Sequence, residues 1–224
     1  MTASATGTAA DPAAASPVAP VAGRVIGLLI AAGHGRRFDP TGRRSKLEQP
    51  VDGEWVAVRT ARALAAGCDA VIAVLRPEST ALATALGSIG CRVVAVTGPE
   101  GMGTSIACGA RAALAETGCT QVLVQPADMP WISAATVLQI AQTPSGLQSI
   151  VVPVFQGRDG HPVRFDRRHL PDLAALGGER GARPLLERHA PLRIPVDDPG
   201  VIRDLDTPAD LALPGIRPAD RLAD

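Results

Sequence analysis

From residue 24 onward, short apolar runs rich in β-branched residues alternate with longer stretches in which Ala and Leu recur at helical spacing. The runs at 25–30, 71–75, 92–96, 121–125 and 149–155 are mostly continuous rather than alternating, as expected for strands covered on both faces. Between them, 56–66, 79–86, 105–116 and 134–141 carry the period of amphipathic helices. Strand and helix taking turns predicts an α/β fold, a mostly parallel sheet with helices on both faces. After Phe155 the regularity fades into Gly-, Pro- and Arg-rich sequence, and no internal repeat is found.

Composition narrows the picture. The 224 residues are 46% hydrophobic, enough for one substantial core. The first 22 residues, Ala-rich and broken by Asp11, Pro12, Pro17 and Pro20, read as a flexible tail without the basic start of an export signal. The expected organisation is therefore a tail at 1–22, one domain at 23–213 and a second tail at 214–224. Lys plus Arg and Asp plus Glu are 22 each, so no broad field draws the chain to nucleic acid or to an acidic membrane. Aromatics are only 2%, which argues against base-stacking platforms. The four cysteines lie singly, without metal-ligand spacing, which fits a reduced, cytoplasmic chain. No apolar run is long enough to span a bilayer.

In an open α/β sheet, ligands bind beyond the carboxyl ends of the strands. Three predicted strands end there in unusual chemistry. The first runs into "LIAAGHGRRF", where Gly33 and Gly35 allow close backbone approach and Arg36 and Arg37 put cations at a turn that suits a bound polyphosphate. The loop lacks the GK[ST] of a Walker A motif and the third glycine of a dinucleotide fingerprint. Lys46 follows ten residues after Arg36, within reach of the same phosphates. The third strand leads into "GPEGMGTS", whose Gly101, Gly103 and Ser105 fit either a sugar or base contact or an ordinary helix cap. The fourth leads into "QPADMP", where Asp128 can hold a hard cation or close a turn. In "DLDTPADL", Thr207, Pro208 and Asp210 make a capping box. Asp204 and Asp206 remain, on one side of an extended segment, and one of them is a candidate second metal ligand. No Ser-His-Asp or Cys-His nucleophile is present in the pattern, so the substrate itself must supply the attacking oxygen.

Taken in order, "LIAAGHGRRF", "SKL", "GMGTSI", "PADMP", "GRDGHPVRF", "GERGAR" and "DLDTPADL" resemble the MobA-like nucleotidyltransferases, and most of all the molybdenum cofactor cytidylyltransferases. The likeness covers residues 24 to about 213. It implies a Rossmann-like nucleotidyltransferase fold and transfer of CMP from CTP to the terminal phosphate of Mo-molybdopterin, releasing pyrophosphate. A molybdenum hydroxylase apoenzyme or its chaperone would receive the product. By resemblance, Ala31, Ala32, Gly33, Gly35 and Arg36 belong to the nucleotide loop, Lys46 is the phosphate-binding lysine, and Asp128 and Asp206 hold Mg²⁺. His161 and Arg183 are candidates for the acceptor pocket. Two departures stand out: "DPTGRRS" before Lys46 is longer than the usual link, and "GEWVAVRTARAL" replaces the common "PLL" phrase. The alternatives are a nucleotidyltransferase for another phosphorylated acceptor, of sugar phosphate or phospholactate type, and a non-catalytic nucleotide- or cofactor-binding chaperone.

Overall fold

The computed structural model describes residues 23–212, apart from 145 and 147. The tails expected at 1–22 and 214–224 lie outside the described residues. The main sheet contains β1 (Arg24–Ala31), β4 (Ala70–Leu75), β5 (Arg92–Ala95), β6 (Cys119–Pro126), β7 (Ile150–Phe155), β8 (Arg158–Asp159), β9 (Val163–Asp166) and β10 (Leu192–Pro195). A separate two-residue ladder joins β2 (Pro50–Val51) to β3 (Glu54–Trp55). The strand order is β10-β7-β9-β6-β1-β4-β5, with β8 paired on β7. β9 alone on this path runs against its neighbours β6 and β7; β1 is parallel to β4 and β6, β4 to β5, and β7 to β10.

The continuous apolar runs are strands sandwiched between helix layers. Alternate residues of β1 face opposite ways: Leu29 and Ala31 join one core with α1 (Val56–Ala65), α2 (Thr80–Ser88) and α4 (Ala134–Gln142). Ile26, Leu28 and Ile30 join the other, with α3 (Met102–Leu114), α5 (Leu170–Ala174) and α6 (Arg183–Arg188). This is the α/β fold with helices on both faces that the pattern predicts. Leu64 of α1 is fully buried, which is worth about 1.5–3 kcal/mol. It lies so close to β1 that a Cβ at Gly27 would come within 2.9 Å of its Cγ, so β1 carries glycine there.

Beyond Phe155 the chain holds more structure than its pattern suggests. β9 inserts antiparallel between β6 and β7, and its Arg164, 1% exposed, donates from Nη1 to the carbonyls of Ile140, Ala141 and Thr143. These are carbonyls at the end of α4, which have no partner within the helix. At the other end of α4, Asp198 accepts from the Ser133 N–H at 2.9 Å and the Thr136 hydroxyl at 2.7 Å, and its second oxygen from the Gly200 N–H at 2.9 Å. A buried carboxylate satisfied in this way pins the turn at 199–202, and with it the segment that carries Asp204 and Asp206. Among the described residues no helix is long and apolar enough to cross a membrane.

Candidate active site

The chain leaves β1 for β4 and β5 on one side, then returns to place β6 on the other. This reversal is a topological switch point, where a crevice forms beyond the strand ends. A cleft of about 560 Å³ opens there. Its lining comes from the loop after β1, the 98–105 segment, the end of β6 and the 201–206 segment.

The loop after β1 turns at Gly35, whose φ of 63° is a conformation that favours glycine. Its carbonyl accepts from the N–H groups of Phe38 and Asp39 at 2.9 and 3.0 Å. A Cβ at Gly33 would meet nothing within 4 Å, so the loop leaves open space above its backbone. Phe38 then plunges into the core. The long "DPTGRRS" link is organised by Asp39, which accepts from the Thr41 N–H and hydroxyl and from the Arg44 N–H at 2.7–2.8 Å. These bonds with Thr41, foremost its hydroxyl, hold the Asp39 carboxyl below its usual range. The link ends in a single 3-10 turn, Lys46–Glu48, anchored by buried Leu47, and Lys46 enters the cleft.

Asp128 follows β6 and lies on the same floor. The Lys46 Nζ donates to its Oδ2 at 2.5 Å and to the Oδ1 of Asp206 at 3.3 Å. Burial alone would lower the lysine's pKa, but Asp128 and then Asp206 outweigh it and hold the ammonium above its ordinary 10.5. The 204–206 segment is extended: Leu205 is fully buried and its N–H donates to the Asp128 carbonyl at 2.8 Å. That contact turns Asp204 and Asp206 toward Asp128, and one oxygen from each of the three carboxylates lies within 4.8 Å of the others. The Oδ1 of Asp128 is buried without a hydrogen-bond partner. Burial, reinforced by Asp206 and Asp128, raises the Asp204 carboxyl. Three hard oxygen donors crowded together, one of them unpartnered, suit a divalent cation such as Mg²⁺ or Mn²⁺.

Ion pairs line the cleft. Arg37 pairs with Asp206. Glu100 lies 2.9 Å from the His34 Nε2 and pairs with Arg36 at 3.5 Å, while Arg76 Nη1 lies 2.8 Å from the His34 Nδ1. Arg36 and Arg37 are each 78% exposed, so these pairs are weakly held and can exchange for phosphate.

Of the residues singled out in the sequence, Ala31, Ala32, Gly33, Gly35, Arg36, Lys46, Gly101, Ser105, Asp128, His161 and Asp206 line the cleft. Gly103 is buried beneath it, and the structure gives both 101–103 glycines a packing reason. A Cβ at Gly101 would lie 2.4 Å from the Gly178 carbonyl oxygen, and one at Gly103 2.5 Å from that of Gly177. The 177–178 backbone rests directly on them, and the Gly103 N–H donates to the Gly178 carbonyl. His161 is half-buried; burial pushes its imidazole pKa down, and its Nδ1 has no partner. Arg183 is not brought to the cleft: it opens α6, 77% exposed, paired with Glu187 at 3.1 Å. Glu100, Arg76, Glu179 and Arg158 also line the cleft; three of them fall within the quoted motifs, but none was singled out as a site residue. All four cysteines are free, and burial pushes the thiols of Cys91 and Cys119 up and that of Cys68 to about 12, away from the reactive thiolate.

Comparison with known proteins meets this geometry. The MobA-like NTP transferase domain matches residues 27–192. Purine catabolism protein PucB of Bacillus subtilis (strain 168) is 28% identical over 197 residues, 82% of this chain and 92% of PucB. Rv0371c from Mycobacterium tuberculosis H37Rv superposes with a TM-score of 0.72 at 27% identity, over 85% of this chain and 97% of that one. Its complex with manganese gives 0.69 at 26%, over 84% and 96%. A nucleotidyl transferase from Methanothermobacter thermautotroptrophicus, at 23% identity, shares the fold with a TM-score of 0.70, over 84% and 94%.

Proposed function

Because the chain belongs to the MobA-like NTP transferase family, we propose that it transfers CMP from CTP to the terminal phosphate of Mo-molybdopterin. The products are molybdopterin cytosine dinucleotide and pyrophosphate. The observation that carries this reading is the floor of the cleft, where a half-buried lysine and three converging carboxylates lie beside an open glycine loop.

The backbone of 32–35 lies along the triphosphate, and Arg36 and Arg37 exchange their carboxylate partners for its oxygens. An acceptor phosphate oxygen attacks the α-phosphorus; that P–O bond forms as the bond to the bridging β-oxygen breaks, and pyrophosphate leaves. The nucleophile is already ionised, so no general base is needed. The chain's task is to hold two anions together and in line. Lys46 moves from Asp128 to the phosphates and neutralises charge as it shifts toward the leaving group. Asp128, with Asp206 and Asp204, would hold Mg²⁺, which would supply positive charge to offset that of the phosphates. His161, whose pKa burial pushes down, lines the cleft on the acceptor side. A molybdenum hydroxylase apoenzyme or its chaperone takes the product.

The test is pyrophosphate release from each of four NTPs with Mo-molybdopterin and with sugar phosphates as acceptors. Release requiring CTP and Mo-molybdopterin supports the reading. Release with a sugar phosphate alone reassigns the acceptor, and none with any pair marks a binding protein.

A further inference from the structure

The opposite end of the sheet holds a second cluster of ligating groups. β7 and β10 run parallel to each other and in the same sense as β6, so their starts lie at the end away from the cleft; β9, running the other way, finishes there. Ser149 directly precedes β7, His169 follows β9, and His189 lies between α6 and β10. His169 is 3% exposed. Its Nε2 is held by the Ser149 hydroxyl at 2.6 Å, which fixes the ring and leaves Nδ1 as the nitrogen not engaged by Ser149. The His189 ring stands edge-to-face against it, with centroids 4.8 Å apart. Asp172, one turn on from His169, adds a carboxylate, and one donor atom from each of the three lies within 4.8 Å of the others. None of the three lines the nucleotide cleft.

We propose that His169, Asp172 and His189 form a structural site for a borderline divalent ion of the zinc class, with water completing the shell. Two imidazoles and one carboxylate are the donors that such an ion prefers over the all-oxygen set of Mg²⁺. Zn–N distances of about 2.0–2.1 Å in a tetrahedron put neighbouring ligand atoms roughly 3.4 Å apart. The cluster closes to that spacing by turning the exposed Asp172 and half-buried His189 toward the fixed His169. Arg188 lies 4.0 Å from the Asp172 Oδ2, a loose contact that coordination displaces. The Ser149 hydroxyl supplies the outer hydrogen bond by which a ligating histidine is usually oriented. The ion would tie the start of α5 to the end of α6 and so brace the least regular part of the chain.

The experiment is Zn²⁺ titration of tag-free protein by calorimetry, with Co²⁺ absorption in the visible reporting nitrogen ligation. Two hosts separate this site from the cleft: the Asp128→Asn/Asp206→Asn double variant, and wild type in millimolar Mg²⁺, which occupies carboxylates but competes poorly for imidazole. In both, one equivalent binds. His189→Gln and Asp172→Asn weaken it by about 100-fold or more, and Ser149→Ala by about 10–100-fold. His189→Gln leaves pyrophosphate release unchanged, since the site is remote from the reaction. Zn²⁺ binding weaker than about 100 μM in both hosts, or undiminished affinity in His189→Gln, overturns the proposal and leaves the cluster as side-chain packing.

Discussion

Lys46→Met keeps the aliphatic stem and removes only the ammonium, so it isolates what that charge does. In the ion-free protein the charge lies 2.5 Å from Asp128 and 3.3 Å from Asp206. The three side chains are 12%, 18% and 21% exposed, between a surface pair and a fully buried one. Exposed pairs contribute about 0–1 kcal/mol and breaking a buried pair costs about 3–5, so the expected loss is roughly 2–3 kcal/mol. For a domain of this size that lowers Tm by about 4–12 °C. The sign with pH follows from the lysine. Its folded pKa lies above 10.5, so its stabilisation is full below pH 10.5 and is lost as pH rises through the folded value. The gap between wild type and variant should thus be constant from neutrality to about pH 10 and close above it. Saturating Mn²⁺ should recover much of the loss, because the cation takes over the carboxylates. Turnover should not recover: a lost charge on the transferring phosphates costs about 10²–10³ in kcat. Thermal melts with and without Mn²⁺, beside single-turnover pyrophosphate release, decide it. An equal Tm drop in both conditions, or turnover within about threefold of wild type, would refute the reasoning.

Asp128→Asn should leave the fold intact, by circular dichroism, and nearly abolish metal-dependent pyrophosphate release; near-normal turnover would make Asp128 a turn residue. Ala32→Gly should relax the preference for CTP over GTP, which we expect to be about ten- to a few hundred-fold from one methyl in a base pocket. An unchanged ratio of kcat/KM would remove Ala32 from base selection. For Asp204 the folded pKa is raised, so the native state holds its proton more tightly than the unfolded chain; stability falls as pH rises past 3.8 and stays lower above the folded value. Asp204→Asn should therefore raise the Tm of the ion-free protein at pH 7, leave it unchanged below pH 3.8, and weaken Mn²⁺ binding; a lower Tm at pH 7 would contradict the charge-crowding account.

The parallel part of the fold was legible because strands buried on both faces leave continuous apolar runs, and β1, β4, β6 and β7 do so. β5 kept its pattern yet lies at the sheet edge, where Arg92, Val93 and Ala95 are exposed. What escaped lies after Phe155. β9 is four residues long and holds its place through pairings with distant strands, β10 contains Pro195, and α5 and α6 span five and six residues, too short for a period to show. Within the cleft, Asp128 was nameable from its strand-end position, Lys46 from its closeness to the glycine loop and Asp206 as an acid the capping box does not use, but their convergence was not. Asp204 was suggested by its alternation with Asp206, and only buried Leu205 fixes the side on which both emerge. The Gly101 and Gly103 pair resembled a ligand loop, yet the closest neighbour that excludes a side chain is the 177–178 backbone, a partner far away in sequence.

That separation along the chain has a bearing on synthesis. Lys46 meets Asp128 across 82 residues and Asp206 across 160. Contacts between such distant segments form only after the loops between them have closed. A ribosome that has released the first three-quarters of the chain has made the glycine loop, Lys46 and Asp128 but not the strap at 201–206 that completes the carboxylate set. The growing polypeptide is thus assembled without a finished cleft floor, and the carboxylate set is completed in one step by the 201–206 segment.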